Sequence, residues 1–173
     1  MKKNISFLAL ALLTSSILFI SCKKDETNGT STFHLRMTDA PTALDSVFVD
    51  IREIRVKMKD DSTNDGWITM ATNAGIYNLL QLQNGVDTLL ATTTLPTGIV
   101  REIRFILGTN NRVVASGISY PLIIPSGEDS GLKIKVSKKL NATLETLIID
   151  FDAALSIRQE NGVYKLRPVL KVK

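Results

Sequence analysis

The sequence predicts an all-β fold, an antiparallel two-sheet β-sandwich of about eight or nine strands, and three observations carry that prediction. From Thr32 onward the apolar residues recur with a period of two and not 3.6. Leu132, Ile134 and Val136 alternate with Lys133, Lys135 and Ser137, the pattern of a strand with one face in water, which favours antiparallel pairing. Turn signals recur at short intervals: Asn64-Asp65-Gly66, Asn84-Gly85, Pro96-Thr97-Gly98, Gly108-Thr109-Asn110-Asn111, Ser126-Gly127 and Asn161-Gly162.

Taken in order, candidate strand runs lie at 33–38, 45–59, 67–70, 87–95, 103–107, 111–116, 118–124, 132–137, 144–152 and 164–172. The second changes parity. Val47, Val49 and Ile51 share one face, whereas Ile54, Val56 and Met58 share the other, so a straight strand would turn half of them to water. A bulge near Arg52-Glu53 resets the facing. Ile76 to Gln83 is ambiguous and fits a helical turn. In the last strand Pro168 cannot donate to a ladder, which marks an edge or a bulge. A domain of about 140 residues buries roughly two-thirds of its unfolded surface and needs no covalent staple.

Ahead of this domain lies a segment of another kind. Met1-Lys2-Lys3-Asn4 is a basic start, Ile5 to Ile20 is an apolar run, and Ser21-Cys22 ends it. The run is short for a membrane span, which needs about 20 residues, and reads as a secretory signal peptide. Phe19-Ile20-Ser21-Cys22 resembles a bacterial lipobox, with Phe19 where Leu is usual. That resemblance makes Cys22 a lipidation site that holds the protein to a membrane; an ordinary signal peptide or a single-pass anchor is the alternative. Lys24-Asp25-Glu26 resembles the surface-export signal of Bacteroidetes lipoproteins, the alternative being a plain solvated tether. The division expected is thus signal peptide 1–21, lipidated Cys and flexible tether 22–31, and sandwich 32–173. Localisation follows as the outer membrane, facing the exterior.

Composition narrows the function. Of 173 residues, 21 are Lys or Arg and 17 are Asp or Glu, a formal charge of +4. Lys2 and Lys3 leave with the signal peptide, bringing the balance to +2, which gives no support to a nucleic-acid footprint. One Cys and one His exclude a disulfide framework and a Cys/His zinc site. His34, alternating with Phe33 and Leu35, is expected to face outward on its strand, and no Gly-x-Ser-x-Gly elbow accompanies it.

Several fragments occur together in order: Thr38-Asp39-Ala40-Pro41, Trp67, Asn78-Leu79-Leu80-Gln81-Leu82-Gln83-Asn84-Gly85, Leu95-Pro96-Thr97-Gly98 and Ile103-Arg104-Phe105-Ile106-Leu107-Gly108. Pro125 to Lys133, Asp150-Phe151-Asp152 and Leu166-Arg167-Pro168-Val169-Leu170 complete the set. Over 33–172 this resembles the domain of unknown function 4382 family, with Asn78 where that family more often has Asp. The resemblance implies a secreted or lipid-anchored β-sandwich and brings no catalytic residues with it.

The acids are the best candidates for chemistry. Asp150 and Asp152 are two apart on a strand, with Leu147, Ile149 and Phe151 on its other face. Together with Asp39 they are a candidate Ca²⁺ site, and Glu128 and Asp129 form a candidate ligand loop, since calcium takes six to eight oxygens. The favoured alternative pairs Asp150 and Asp152 with Lys or Arg on a neighbouring strand, or with backbone N–H groups of Thr38-Asp39-Ala40. Trp67 could stand at a strand mouth and meet a sugar, but a place in the core is favoured. The function expected is a non-enzymatic, monomeric surface module that binds a glycan or a protein. The alternative is a fimbria-like subunit assembled by strand addition; a carboxylate-based hydrolase comes third.

Overall fold

The computed structural model describes residues 29–40, 42–59, 65–125 and 131–173. The chain opens with β1 (Thr30–Thr38), β2 (Ser46–Lys57), β3 (Trp67–Thr69), β4 (Ala71–Thr72) and β5 (Gly75–Asn78), followed by a single 3₁₀ turn at Leu79–Leu82. Next come β6 (Thr88–Pro96), β7 (Gly98–Leu107), β8 (Arg112–Ala115), β9 (Ile118–Ile123), β10 (Leu132–Leu140) and β11 (Leu144–Phe151). A one-turn helix α1 (Ala153–Ser156) leads to β12 (Ile157–Glu160), β13 (Val163–Leu166) and β14 (Leu170–Val172).

Two sheets result, in the sandwich that the alternation predicts. The small sheet has the order β14-β11-β1-β6-β4, and the large one β10-β7-β2-β8-β9-β13-β12, with β3 and β5 also paired to β2. Phe33, Leu35 and Met37 of β1, Val49, Ile51 and Ile54 of β2, Phe105 of β7 and Phe151 of β11 belong to one buried apolar cluster. His34 lies half-buried on the opposite face of β1, between Thr92 and Thr146.

The bulge is where the parity change requires it. The ladder of β2 with β7 shifts between Ile51 and Glu53, so that Val49, Ile51, Ile54 and Val56 are all fully buried. The ambiguous run resolves into β5 and its 3₁₀ turn, where the Asn78 side chain accepts from Leu80 N at 3.2 Å. Asn and Asp serve equally as such caps, which accounts for Asn78 in place of the family's Asp.

Three expectations need amendment. The sheets are mixed: β1 pairs parallel with β11, and β13 parallel with β9. The strand count is higher because several ladders are only two to four residues long. The C-terminal run 164–172 is also two strands. Arg167–Val169 break it around Pro168, β13 stays in the large sheet and β14 crosses to the edge of the small one. Proline's missing N–H ends one ladder, and the chain changes sheet there.

Candidate functional site

Asp39, Asp150 and Asp152 do meet, at the end of the sandwich where β1 and β11 finish. Asp39 is 2% exposed; its Oδ1 accepts from Ala153 N at 2.8 Å and its Oδ2 from Gln83 Nε2 at 3.2 Å. Burial pushes its pKa up, the bonds from Ala153 and Gln83 hold it partly down, and the nearby Asp150 charge raises it further. Asp152 stands one residue past β11 and caps α1, accepting from Leu155 N at 3.0 Å. Its other oxygen takes the Lys171 ammonium of β14 at 2.7 Å. Burial alone would raise its pKa, but Lys171 and the Leu155 N–H outweigh burial and hold it below the ordinary value.

Asp150 lies directly across from Lys171, whose pKa is raised first by its hydrogen bond to Asp152 and then by the charges of both acids. Each carboxylate oxygen of Asp39 and Asp152 therefore already faces a donor hydrogen, at positions a Ca²⁺ would need for itself. Among the described residues no group of three or more His, Cys, Asp or Glu side chains could hold a metal ion. Asp152 is thus joined to Lys171 of the neighbouring strand β14 and to Leu155 N, and Asp39 to Ala153 N.

A further buried acid gave no signal in the sequence. Asp50 is completely buried where β7 turns toward β8. Its Oδ2 accepts from Arg52 Nη2 at 2.8 Å and from Asn110 N at 3.2 Å, and its backbone N–H donates to Asn111 Oδ1 at 2.9 Å. Gly108 N donates to Asp50 O at 2.8 Å. A Cβ on Gly108 would lie 2.3 Å from Asp50 Oδ2, so this turn excludes every other residue. The turn residues Gly108 to Asn111 were legible as a turn, but not as a wrapper around a charge.

The most distinctive surface is the outer face of β3, β2, β7 and β10. Register places Lys133, Arg104, Arg55 and Thr69 in one cross-strand row, and Lys135, Glu102, Lys57 and Trp67 in the next. These residues alternate with the core-facing Ile103, Phe105, Ile54 and Val56, so both rows look away from the core. This corrects the expectation for Trp67. The core draws its large rings from Phe33, Phe105 and Phe151, all fully buried, and the only Trp of the chain stands half-buried on the outside.

The Arg104 guanidinium lies over the indole at 4.1 Å from the ring centroid, and the Lys57 ammonium at 5.9 Å. Glu53 pairs with Arg55 and accepts from Thr69 Oγ1 at 3.1 Å. Arg104 is 8% exposed; burial, then the Arg55 charge facing it, lower its pKa, and Glu102 partly restores it. Lys133 and Lys135 are exposed. The bulge that sends Ile54 and Val56 inward puts Arg55 and Lys57 on the opposite side of the sheet, where Arg55 is half-buried and Lys57 is 0% exposed, so half of this face was implicit in the parity argument. The register that lays Trp67 beside Lys57 was not.

Cys22, Lys24, Asp25, Glu26, Glu128 and Asp129 lie outside the described residues. Pro125 lines an open cleft of about 450 Å³ with Leu166, Arg167 and Pro168. Among the described residues no helix is long and apolar enough to cross a membrane.

Fold and surface define an all-β sandwich whose buried acids tie down its own backbone and whose outer face carries cations around a tryptophan. The family model for a domain of unknown function, DUF4382, matches residues 30–168, and the chain belongs to that family. No curated protein and no solved structure matches it.

Proposed function

We propose that the protein is a non-enzymatic binding module of the cell envelope, held to the outer membrane by a lipid on Cys22 and exposed to the exterior, where it takes a glycan or a protein partner. One observation carries the reading. The only tryptophan stands on the outer face of the large sheet, stacked by Arg104, where the core has no use for it. An aromatic plate beside polar groups is what a sandwich offers a ligand.

The fimbria-like alternative needs an open, pairable edge. The edges of this fold are short or guarded: β4 has two residues and β14 three, and β10 carries Lys133, Lys135, Lys138 and Lys139 with a ladder shift between Lys135 and Lys138. Lysines, bulges and short strands all discourage strand addition, which supports a single unit.

The test is the full chain in mild detergent on a combined glycan and envelope-protein array, beside a Trp67→Ala variant. Binding that the variant loses supports the reading; a blank array equal to that of an unrelated lipoprotein overturns it. Cys22→Ala tests the anchor. The variant is expected to lose incorporation of a labelled fatty acid and leave the membrane fraction, and retained label would refute lipidation at Cys22.

A further inference from the structure

We propose that the edge strand β10 takes up an extended acidic peptide as a further strand of the large sheet, one in which carboxylate side chains alternate with apolar ones. This interaction goes beyond the binding-module reading and does not depend on the Trp67 face.

β10 ends the order of the large sheet, and among the described residues it pairs with β7 alone. Its core-facing side chains are incompletely covered. Leu132 and Ile134 are half-buried, whereas their partners across the ladder, Phe105 and Ile103, are completely buried. β14, at the edge of the small sheet, lies beside β10 and has the same deficit: Val172 is 48% exposed although its partner Ile149 is fully buried. Among the described residues, the apolar seam between the two edges is therefore unclosed.

The charges on this edge decide what can close it. Lys133 and Lys135 are exposed and form no ion pair with a described residue, with Glu102 lying across from Lys135. Both stand on the face that an added strand would leave in water, opposite in parity to Leu132, Ile134 and Val136. An edge is shut to pairing by a charge that points inward. On β10 that is Lys138, which lies opposite the fully buried Val100 and binds Glu145 at 2.8 Å. It follows the ladder shift, so the open stretch is Leu132 to Val136.

Outward lysines do not block a strand; they select it by sign. A second copy of β10 would set ammonium against ammonium, and like charges directly opposed cost stability, in keeping with a single unit. An acidic strand would set carboxylates beside Lys133 and Lys135, while its alternate apolar residues would cover Ile134, Val136 and Val172. A peptide is the occupant that fits, because a sheet edge offers backbone N–H and C=O groups on a period-two template, which another extended backbone matches group for group.

The probe is a fluorescein-labelled peptide of alternating glutamate and valine, titrated with the full chain in detergent and read by anisotropy. Its controls are a peptide of the same composition with glutamates and valines in separate blocks, an alternating lysine–valine peptide, and the alternating acidic peptide N-methylated at every amide. The expected result is saturable binding of the acidic alternating peptide, weakened by salt, about tenfold or more weaker for each control, with slowed hydrogen exchange of the β10 amides. In the double variant Lys133→Ser/Lys135→Ser, affinity is expected to fall about tenfold with the urea midpoint unchanged. Equal binding of the block or N-methylated peptide would mean attraction without strand pairing and would overturn the inference. Equal binding of the lysine peptide, unchanged affinity in the double variant, or no binding of the acidic peptide overturns it as well. The array with Trp67→Ala reports on the Trp67 face, so the binding-module reading and this one can fail separately.

Discussion

The carboxylates where β1 and β11 end and the cations around Trp67 place charge on the same sandwich in opposite ways. At the first, Asp39 and Asp152 are nearly covered, and each of their oxygens meets a donor from Ala153, Gln83, Leu155 or Lys171. Asp50 at the β7–β8 turn is held through Oδ2 alone, by Arg52 and by Asn110 N. At the second, Lys133 and Lys135 stand in water, beside other cations. The difference teaches that buried acids are not by themselves a sign of chemistry here. Their partners are the fold's own groups, the backbone N–H of Ala153 and Leu155 and the side chains of Gln83 and Lys171, whereas Lys133 and Lys135 spend their charge on water.

That contrast can be broken most forcefully at Gly108. Gly108→Ala is expected to lose about 3 kcal/mol or more, because the new methyl would meet the immobile Asp50 carboxylate; urea unfolding measures it, and an unchanged midpoint would mean that Asp50 is not held as described. Next, Asp39→Ala is expected to lose about 2 kcal/mol by stranding the buried Ala153 N–H, while Asp39→Asn keeps an acceptor there and loses less. Equal losses would mean the charge, and not the acceptor, matters.

Acidification sharpens the comparison within the acidic end itself. Asp39 has a raised pKa, so it binds protons more readily folded than unfolded. Its charged form costs stability at neutral pH, and that cost is relieved as pH falls through its folded pKa toward the ordinary 3.8. Asp152 has a lowered pKa; the stability it contributes above 3.8 is lost as pH falls through its folded value. Melting temperatures between pH 7 and pH 3 are therefore expected to fall more steeply in Asp39→Asn than in the parent, and less steeply in Asp152→Asn. Parallel curves would contradict both assignments. The smallest effect belongs to the basic face, where Lys133→Ser/Lys135→Ser is expected to change stability by no more than about 0.5 kcal/mol. Addition of Ca²⁺ or a chelator is expected to leave the melting temperature of the parent where it is.

Much of the sandwich was legible in the chain, because period-two patterning records which residues face the core. Even the bulge at Arg52-Glu53 followed from parity, since no unbroken strand buries both Ile51 and Ile54. Direction was not legible: β1 faces β11 in parallel, and an alternating pattern reads the same whichever way the partner runs. The site was legible in part. Asp39, Asp150 and Asp152 were found as neighbours, but their donors come from Gln83, Ala153 and Lys171, which only the folded arrangement supplies. Asp50 sits inside an apolar run, and its burial against Arg52 and Asn110 depends on the fold of the β7–β8 turn. Trp67 was misplaced because aromatic size argues for the core, whereas register with Lys57 decides its face.

The place of β1 has a mechanical consequence. It is an interior strand of the small sheet, held along seven residue pairs by β11 and eight by β6, with its start at Thr30 where the preceding chain joins. A pull on that chain runs along the strand axis, so the rungs of both ladders resist together in shear instead of opening one at a time as at a sheet's margin. A partner held on the other sheet would strain β1 in the direction in which it yields last.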